Sequence, residues 1–232
     1  MQHFDSNGKN ILDFLSELNL NNNKEWFDKN REVYNSIMKD YKKVINELSV
    51  EISKFDPDFK PTKAEDYIFR IYKDLRFSKE KIPYKTHIGA YICNGGKKSP
   101  KAGYYLHLEP ENCFLGGGLY RPSAAHLHAL RQEIYFSSNQ FLEIVNNHDF
   151  VQNLDGLMDD KAKKMPKDYS ETHPAAEYLK YKSMISIKNI STKDVFKNDF
   201  MEIILKTFKS LQPLNAFINN ALELSEHKES DL

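Results

Sequence analysis

Few of the devices that hold or place a protein by special means are present in this chain. Only two of its 232 residues are cysteines, Cys93 and Cys113. That is too few for a disulfide framework, and the bland reading is two reduced thiols. No apolar run approaches the roughly 18 residues needed to span a membrane. The opening residues, Met1-Gln2-His3-Phe4-Asp5-Ser6, lack the basic and then apolar regions of a secretory signal, so a cytoplasmic location is expected. Net charge is missing as well, with 33 Lys+Arg against 33 Asp+Glu. Neutrality argues against a protein that coats a membrane or nucleic acid. Internal repeats and long linkers are also absent. Disorder is excluded by the aromatic content of 12%. A globular chain of this length hides roughly 70–75% of its unfolded surface, so it needs no metal or disulfide to fold.

What is present is helical at both ends and different in the middle. Ile11, Leu12, Phe14, Leu15 and Leu18 recur at helical spacing. Asn22 with Glu25 fits a capping box at the start of a second helix. An apolar stripe from Trp26 and Phe27 through Tyr34, Ile37, Met38, Tyr41, Val44, Ile45, Leu48 and Ile52 then predicts one long helix ending before Pro57. From about residue 67 to 120 the spacing shifts to alternation. Tyr84–Ile92, Gly103–Glu109 and Cys113–Tyr120 read as strands, with Pro110-Glu111-Asn112 as a hairpin turn. Tyr67–Tyr72 is a weaker candidate strand. After Pro122, placed at a first helical position, the pattern is helical again through Leu222. The expected fold is a single α+β domain over 1–232. Its antiparallel sheet (67–120) is packed by an N-terminal helical part (1–57) and a C-terminal one (122–224).

The neutral average hides an asymmetry. Between Lys60 and Lys101 stand 11 basic and 4 acidic residues, a segment of +7 that leaves −7 for the rest. A local basic concentration in a neutral protein suggests a site for a small anion or an acidic partner. Arg70, Arg76, Lys79 and Lys85 lie in it, and arginine grips phosphate or carboxylate with two parallel hydrogen bonds. If Tyr84–Ile92 is a strand, period-two geometry puts Lys85, His87, Gly89 and Tyr91 on one face. On the next strand Tyr105, His107 and Glu109 share a face, so His87 and His107 are expected to approach each other. Gly116-Gly117-Gly118 leaves room for a ligand near the backbone and feeds a helix start where Arg121 adds charge. The expected ligand contacts are therefore Arg70, Arg76, Lys79, Lys85, Tyr105, Gly117 and Arg121, with His87 or His107 as the proton-transfer group.

Each feature also has a plainer reading. Arginines and lysines in a loop-rich stretch are usually solvated or paired, and Asp74 can bridge Arg70 or Arg76. Histidines are more often hydrogen-bonded structural residues than catalysts. His87, His107 and Glu109 include metal-ligand types, but no tight spacing supports a metal, and no metal or cofactor is expected. His126 and His128 lie two apart on a helix and face different ways. Neither a Gly-x-Ser-x-Gly elbow nor a His-Glu-x-x-His motif occurs.

Several ordered motifs carry a resemblance across nearly the whole chain. They are Asn-Asn-Lys-x-Trp-Phe-x-x-Asn-Arg, Arg-Ile-Tyr-Lys-Asp-x-Arg-Phe-Ser-Lys-x-Lys-x-Pro-Tyr-Lys-Thr, Gly-Tyr-Tyr-Leu-His-Leu-Glu-Pro, Gly-Gly-Gly-Leu-Tyr-x-Pro and His-Pro-Ala-Ala-Glu-x-Leu-Lys. Together they resemble a widespread microbial family of conserved hypothetical proteins, domain of unknown function 2461. The resemblance implies a single-domain cytosolic protein. It selects the same motif positions and carries over no catalytic residue. The functional expectation is therefore a protein that binds, and in the stronger form acts on, a phosphate- or carboxylate-bearing small ligand through a basic pocket. The alternatives are a non-enzymatic interaction module docking an acidic partner, or a scaffold whose charges form internal salt bridges. An extended nucleic-acid track is disfavoured, because basic residues outside 60–101 are evenly mixed with acids.

Overall fold

The computed structural model describes residues 4–76 and 82–230, so Lys79 lies outside the described residues. Helix α1 (Phe4–Leu20) buries Ile11, Leu12, Phe14, Leu15 and Leu18 against the body, as its spacing requires. The long apolar stripe is divided in two. Helix α2 (Lys24–Lys29) stops at Asn30 and α3 (Arg31–Ser53) continues, burying Ile37, Tyr41, Val44, Ile45, Leu48 and Ile52. The cap of α2 is Asn23, whose side chain accepts the Trp26 amide, rather than Asn22. Asn22 instead joins the end of α1 to the middle of the chain. Its Nδ2 donates to the Tyr84 carbonyl and its Oδ1 accepts the Tyr84 amide, both at 3.1 Å. A short helix α4 (Ala64–Tyr67) follows.

The sheet is a meander of β1 (Ile88–Ile92), β2 (Gly103–Leu108) and β3 (Cys113–Leu119), all antiparallel. Residues 67–72 add only isolated bridges, Ile68 to Ala90 and Tyr72 to Tyr84, so the regular ladder begins at Ile88 rather than Tyr84. A fourth strand, β4 (Met184–Ile190), lies within the C-terminal part expected to be helical, where no strand is expected, and pairs antiparallel with β3. Between β3 and β4 come α5 (Ala124–Phe136), α6 (Ser138–Val145), α7 (His148–Asn153) and α8 (Ala176–Leu179). Ser123 caps α5 by accepting the His126 amide at 3.1 Å, which leaves Pro122 just outside the helix. After β4, α9 (Thr192–Val195) leads to α10 (Phe200–Ser230), which runs through an exposed Pro213. No helix among the described residues is long and apolar enough to cross a membrane.

Strand geometry divides the sheet into two unlike faces. On one, Tyr104, Leu106 and Leu115 are buried beneath α10. There the Tyr104 and Phe208 rings lie 5.1 Å apart and Asn215 Nδ2 donates to the Gly103 carbonyl at 3.1 Å. The other face carries two cross-sheet rows, Tyr91–Tyr105–Gly116–Ile187 and Gly89–His107–Phe114–Asn189. This second face floors a cavity. The protein is thus an α+β domain whose antiparallel sheet is packed on one side by the terminal helices.

Candidate functional site

The cavity has a volume of about 750 Å³, within the range of small-molecule sites. Its floor is the row of aromatic and histidine side chains: His87, Tyr91, Tyr105, His107 and Phe114. Phe69 from the bridge segment and Ile185 and Ile187 from β4 complete an apolar wall. Lys97, Lys101, Arg121, Ser123 and His126 supply its polar groups, and the lining residues include no aspartate or glutamate among the described residues.

Arg121 owes its position to the turn that ends β3. It adopts φ 47°, left-handed for a non-glycine residue, immediately before Pro122. Its amide donates to Ser183 Oγ at 3.1 Å, and that hydroxyl donates to Asp160 at 2.9 Å, which fixes the turn. The guanidinium lies 5.1 Å over the Tyr120 ring and has no salt-bridge partner among the described residues. Lys97 Nζ donates to the Glu65 carbonyl at 2.5 Å, leaving its charge uncompensated by a carboxylate at that contact. Lys101 is paired with Glu223 at 2.6 Å. The capped N-terminus of α5, through Ser123 and His126, faces the same space and adds the positive end of a helix dipole.

At the floor, the His87 and His107 rings are 4.5 Å apart, and His107 stacks on Phe114 at 4.4 Å. The Tyr105 hydroxyl lies 2.9 Å from His107 Nδ1, and Glu109 Oε2 lies 3.4 Å from Nε2. Glu109 is held in turn by Thr86 Oγ1 at 2.7 Å and Asn112 Nδ2 at 2.9 Å. Burial pushes the His87 pKa down to about 4, helped by His107, Lys85 and Lys73 and opposed by Glu109. Burial also lowers His107, against the pull of Glu109. For Glu109 burial acts upward, but hydrogen bonds from Thr86, Asn112 and His107 prevail and keep it below the usual carboxylate value. Burial raises Tyr105 to about 12, so it stays a protonated phenol. Both histidines are therefore neutral at pH 7 with lone pairs available.

The anticipated site residues divide into two groups. His87, His107, Tyr105, Gly117 and Arg121 all line the cavity. Arg70, Arg76 and Lys85 do not. Arg70 is exposed, and Arg76 grips Asp74 through Nε at 2.9 Å and Nη2 at 2.6 Å. Lys85 Nζ sits 5.5 Å over the Phe69 ring, and burial lowers its pKa, with Arg70 adding. Gly117 contributes backbone only: a Cβ there would stand 2.7 Å from the Gly103 carbonyl and 3.0 Å from Leu211, on the side packed by α10. Its missing side chain admits the helix rather than a ligand. Lys97, Lys101 and His126 were not anticipated as ligand contacts. The two lysines belong to the basic segment, but charge counting does not say which way a side chain turns. His126 lines the cavity and His128 does not, as their spacing on α5 requires. Cys93 and Cys113 are free and buried, and burial pushes both thiols up, Cys93 to about 12. They are poor nucleophiles.

The fold and this cavity define an α+β protein with a small-molecule-sized cavity over one face of its sheet. The family model described as "Conserved hypothetical protein (DUF2461)" matches residues 10–217, and the chain belongs to that family. No curated protein and no solved structure matches it.

Proposed function

We propose that this protein binds a small organic anion, carboxylate- or phosphate-bearing, in the cavity over its sheet. The observation that carries the reading is the wall itself, which presents Lys97, Lys101 and Arg121 and no acidic side chain among the described residues. A cleft lined by one sign of charge strengthens attraction for the opposite sign. The anionic group of the ligand sits toward Arg121 and the α5 N-terminus, and its apolar body lies on Tyr105, Phe114 and Ile187. Arg121 is the principal contact because it makes no salt bridge among the described residues, Asp160 acting on it only through space, whereas Lys101 already holds Glu223.

The paired state of Arg76 and Lys101 is what a scaffold with internal salt bridges would show at those two positions. Arg121 and the cavity fall outside that alternative. Turnover of the bound ligand is the stronger form of the reading, with His87 or His107 as the proton-transfer group at the floor.

The test is thermal stabilisation of the full chain by a panel of nucleotides, phosphorylated metabolites and aryl or alkyl carboxylates. Binding of one class is expected, at least tenfold weaker in Arg121→Ala and unchanged in Arg76→Ala. A flat response across the panel, or equal loss in both variants, would overturn the proposal.

A further inference from the structure

We propose that the floor of this cavity is a metal centre, in which His87, His107 and Glu109 hold one divalent first-row transition ion of the zinc class. The three donors come from separate places that the sheet register brings together. His107 lies in β2 and Glu109 one residue beyond it, two apart and therefore on one face. Gly89 pairs with His107 and Ile88 with Leu108. Continuing that register sets His87, just before β1, opposite Glu109. The ligating atoms of the three residues all lie within 4.8 Å of one another. The two imidazole rings are only 4.5 Å apart. Closing on an ion at about 2.0–2.2 Å from each donor requires a modest contraction of this set.

Two further features distinguish the cluster from a chance meeting of polar groups. The first is its support. Ligating histidines and carboxylates are oriented by hydrogen bonds from outside the coordination sphere. Here Tyr105 Oη lies 2.9 Å from His107 Nδ1, which frees Nε2 to face Glu109. With Nε2 on the ion, Nδ1–H donates to the tyrosine oxygen. Thr86 Oγ1 holds Glu109 Oε1 at 2.7 Å and Asn112 Nδ2 holds Oε2 at 2.9 Å, which leaves lone pairs on the carboxylate. The second is His87. Its ring is half-buried and makes no hydrogen bond among the described residues, although Thr86 beside it and Glu109 of the same cluster bond each other. A coordinating ion gives that imidazole the partner it lacks.

Two imidazoles and one carboxylate make a three-ligand set with a fourth position open, the arrangement of a catalytic rather than a structural zinc. His87 and His107 line the cavity, so the open position faces it. A bound anion or water would complete the coordination there. The metal reading does not require the anion reading, because its donors are distinct from Lys97, Lys101 and Arg121. The two compete on one point only. With an ion bound, His87 and His107 have committed their lone pairs and do not serve as proton-transfer groups.

The experiment uses untagged full-length protein, stripped with a chelator and titrated with Zn²⁺ and with Co²⁺ as a spectroscopic probe. One equivalent per chain is expected, with the intense visible absorption of four- or five-coordinate Co²⁺. His87→Gln, His107→Gln and Glu109→Gln should each weaken binding at least a hundredfold. Tyr105→Phe should weaken it about tenfold, the scale of an orienting partner. His148→Gln, at an exposed histidine, should leave it unchanged. Circular dichroism of the stripped variants checks folding. If His107→Gln does not fold, His87→Gln decides the matter, since that ring has no hydrogen bond to lose among the described residues. Absence of micromolar binding, a weak octahedral-only Co²⁺ spectrum, or binding unaffected by His87→Gln would overturn the metal centre. None of these results bears on whether Arg121 holds an anion.

Discussion

Gly89 leaves the space that the Tyr105 hydroxyl occupies: a Cβ on Gly89 would lie 2.6 Å from Tyr105 Oη. The tyrosine ring leans across β1 because the residue there has no side chain, and this puts its hydroxyl at His107 Nδ1. Gly89→Ala should push the ring away and break that contact while the main-chain pairing of β1 and β2 persists. The expected phenotype matches Tyr105→Phe: a folded protein with metal affinity about tenfold weaker. Titration of both variants with Co²⁺ checks this. Wild-type affinity in Gly89→Ala would show that Tyr105 does not orient His107.

The paired hydrogen bonds between Asn22 and Tyr84 join the N-terminal helices to the segment leading into the sheet. Tyr84 is buried and stacks on Phe27 at 4.1 Å. Removing the amide leaves a part-buried main-chain donor and acceptor without their partner. Asn22→Ala should therefore cost about 1–3 kcal/mol. Asn23→Ala, which removes the cap of α2, should cost about 1 kcal/mol. Denaturant unfolding of the two variants ranks them, and a larger loss in Asn23→Ala would contradict the tertiary role given to Asn22.

Acid stability follows from the floor of the cavity. In metal-stripped protein the folded-state pKa of His87 is pushed down to about 4 by burial, then by His107, whereas an unfolded histidine titrates near 6.5. As pH falls the unfolded chain takes up the proton first, so stability is intact above about 6.5 and declines toward about 4. His107, lowered by burial, acts with the same sign. His87→Gln should flatten the fall in Tm between pH 6.5 and 4 measured by calorimetry. An unchanged slope would mean that His87 does not stay neutral in the folded chain.

The parts of this structure that were legible in the sequence are those where one periodicity rules a whole element. Ile37, Tyr41, Val44, Leu48 and Ile52 mark the buried side of α3, and the same residues are buried. Pro110-Glu111-Asn112 turns the β2–β3 hairpin, with Glu111 at φ 64° and the Asn112 amide on the Glu109 carbonyl. The meeting of His87 and His107 followed from period-two geometry alone. Strand β4 was missed although Ile185, Ser186, Ile187 and Lys188 alternate, because its partner β3 lies four helices earlier in the chain. The capping residue of α2 was misplaced by one position, since Asn22 and Asn23 are equally good caps and only the fold assigns Asn22 to Tyr84. The basic segment was visible as a sum, but orientation is a tertiary property. Arg76 turned to Asp74, while Lys97 and Lys101 line the cavity with their ammonium groups on the Glu65 carbonyl and on Glu223.

Arg121 offers a way to separate function from stability. A non-glycine residue at φ 47° holds about 1–2 kcal/mol of backbone strain, and such strain persists where the surroundings over-determine it. Glycine at this position relieves the strain but adds freedom to the unfolded chain, worth roughly 0.5–1 kcal/mol in the other direction. Arg121→Gly should therefore be as stable as the parent protein or slightly more so, whereas Arg121→Ala keeps the strain and is no more stable. Both should lose anion affinity by the same tenfold or greater factor. Urea unfolding together with ligand titration reads the two effects independently. If Arg121→Gly unfolds more easily by more than about 1 kcal/mol, the guanidinium over Tyr120 is a structural contact, and the left-handed turn was not retained for the ligand.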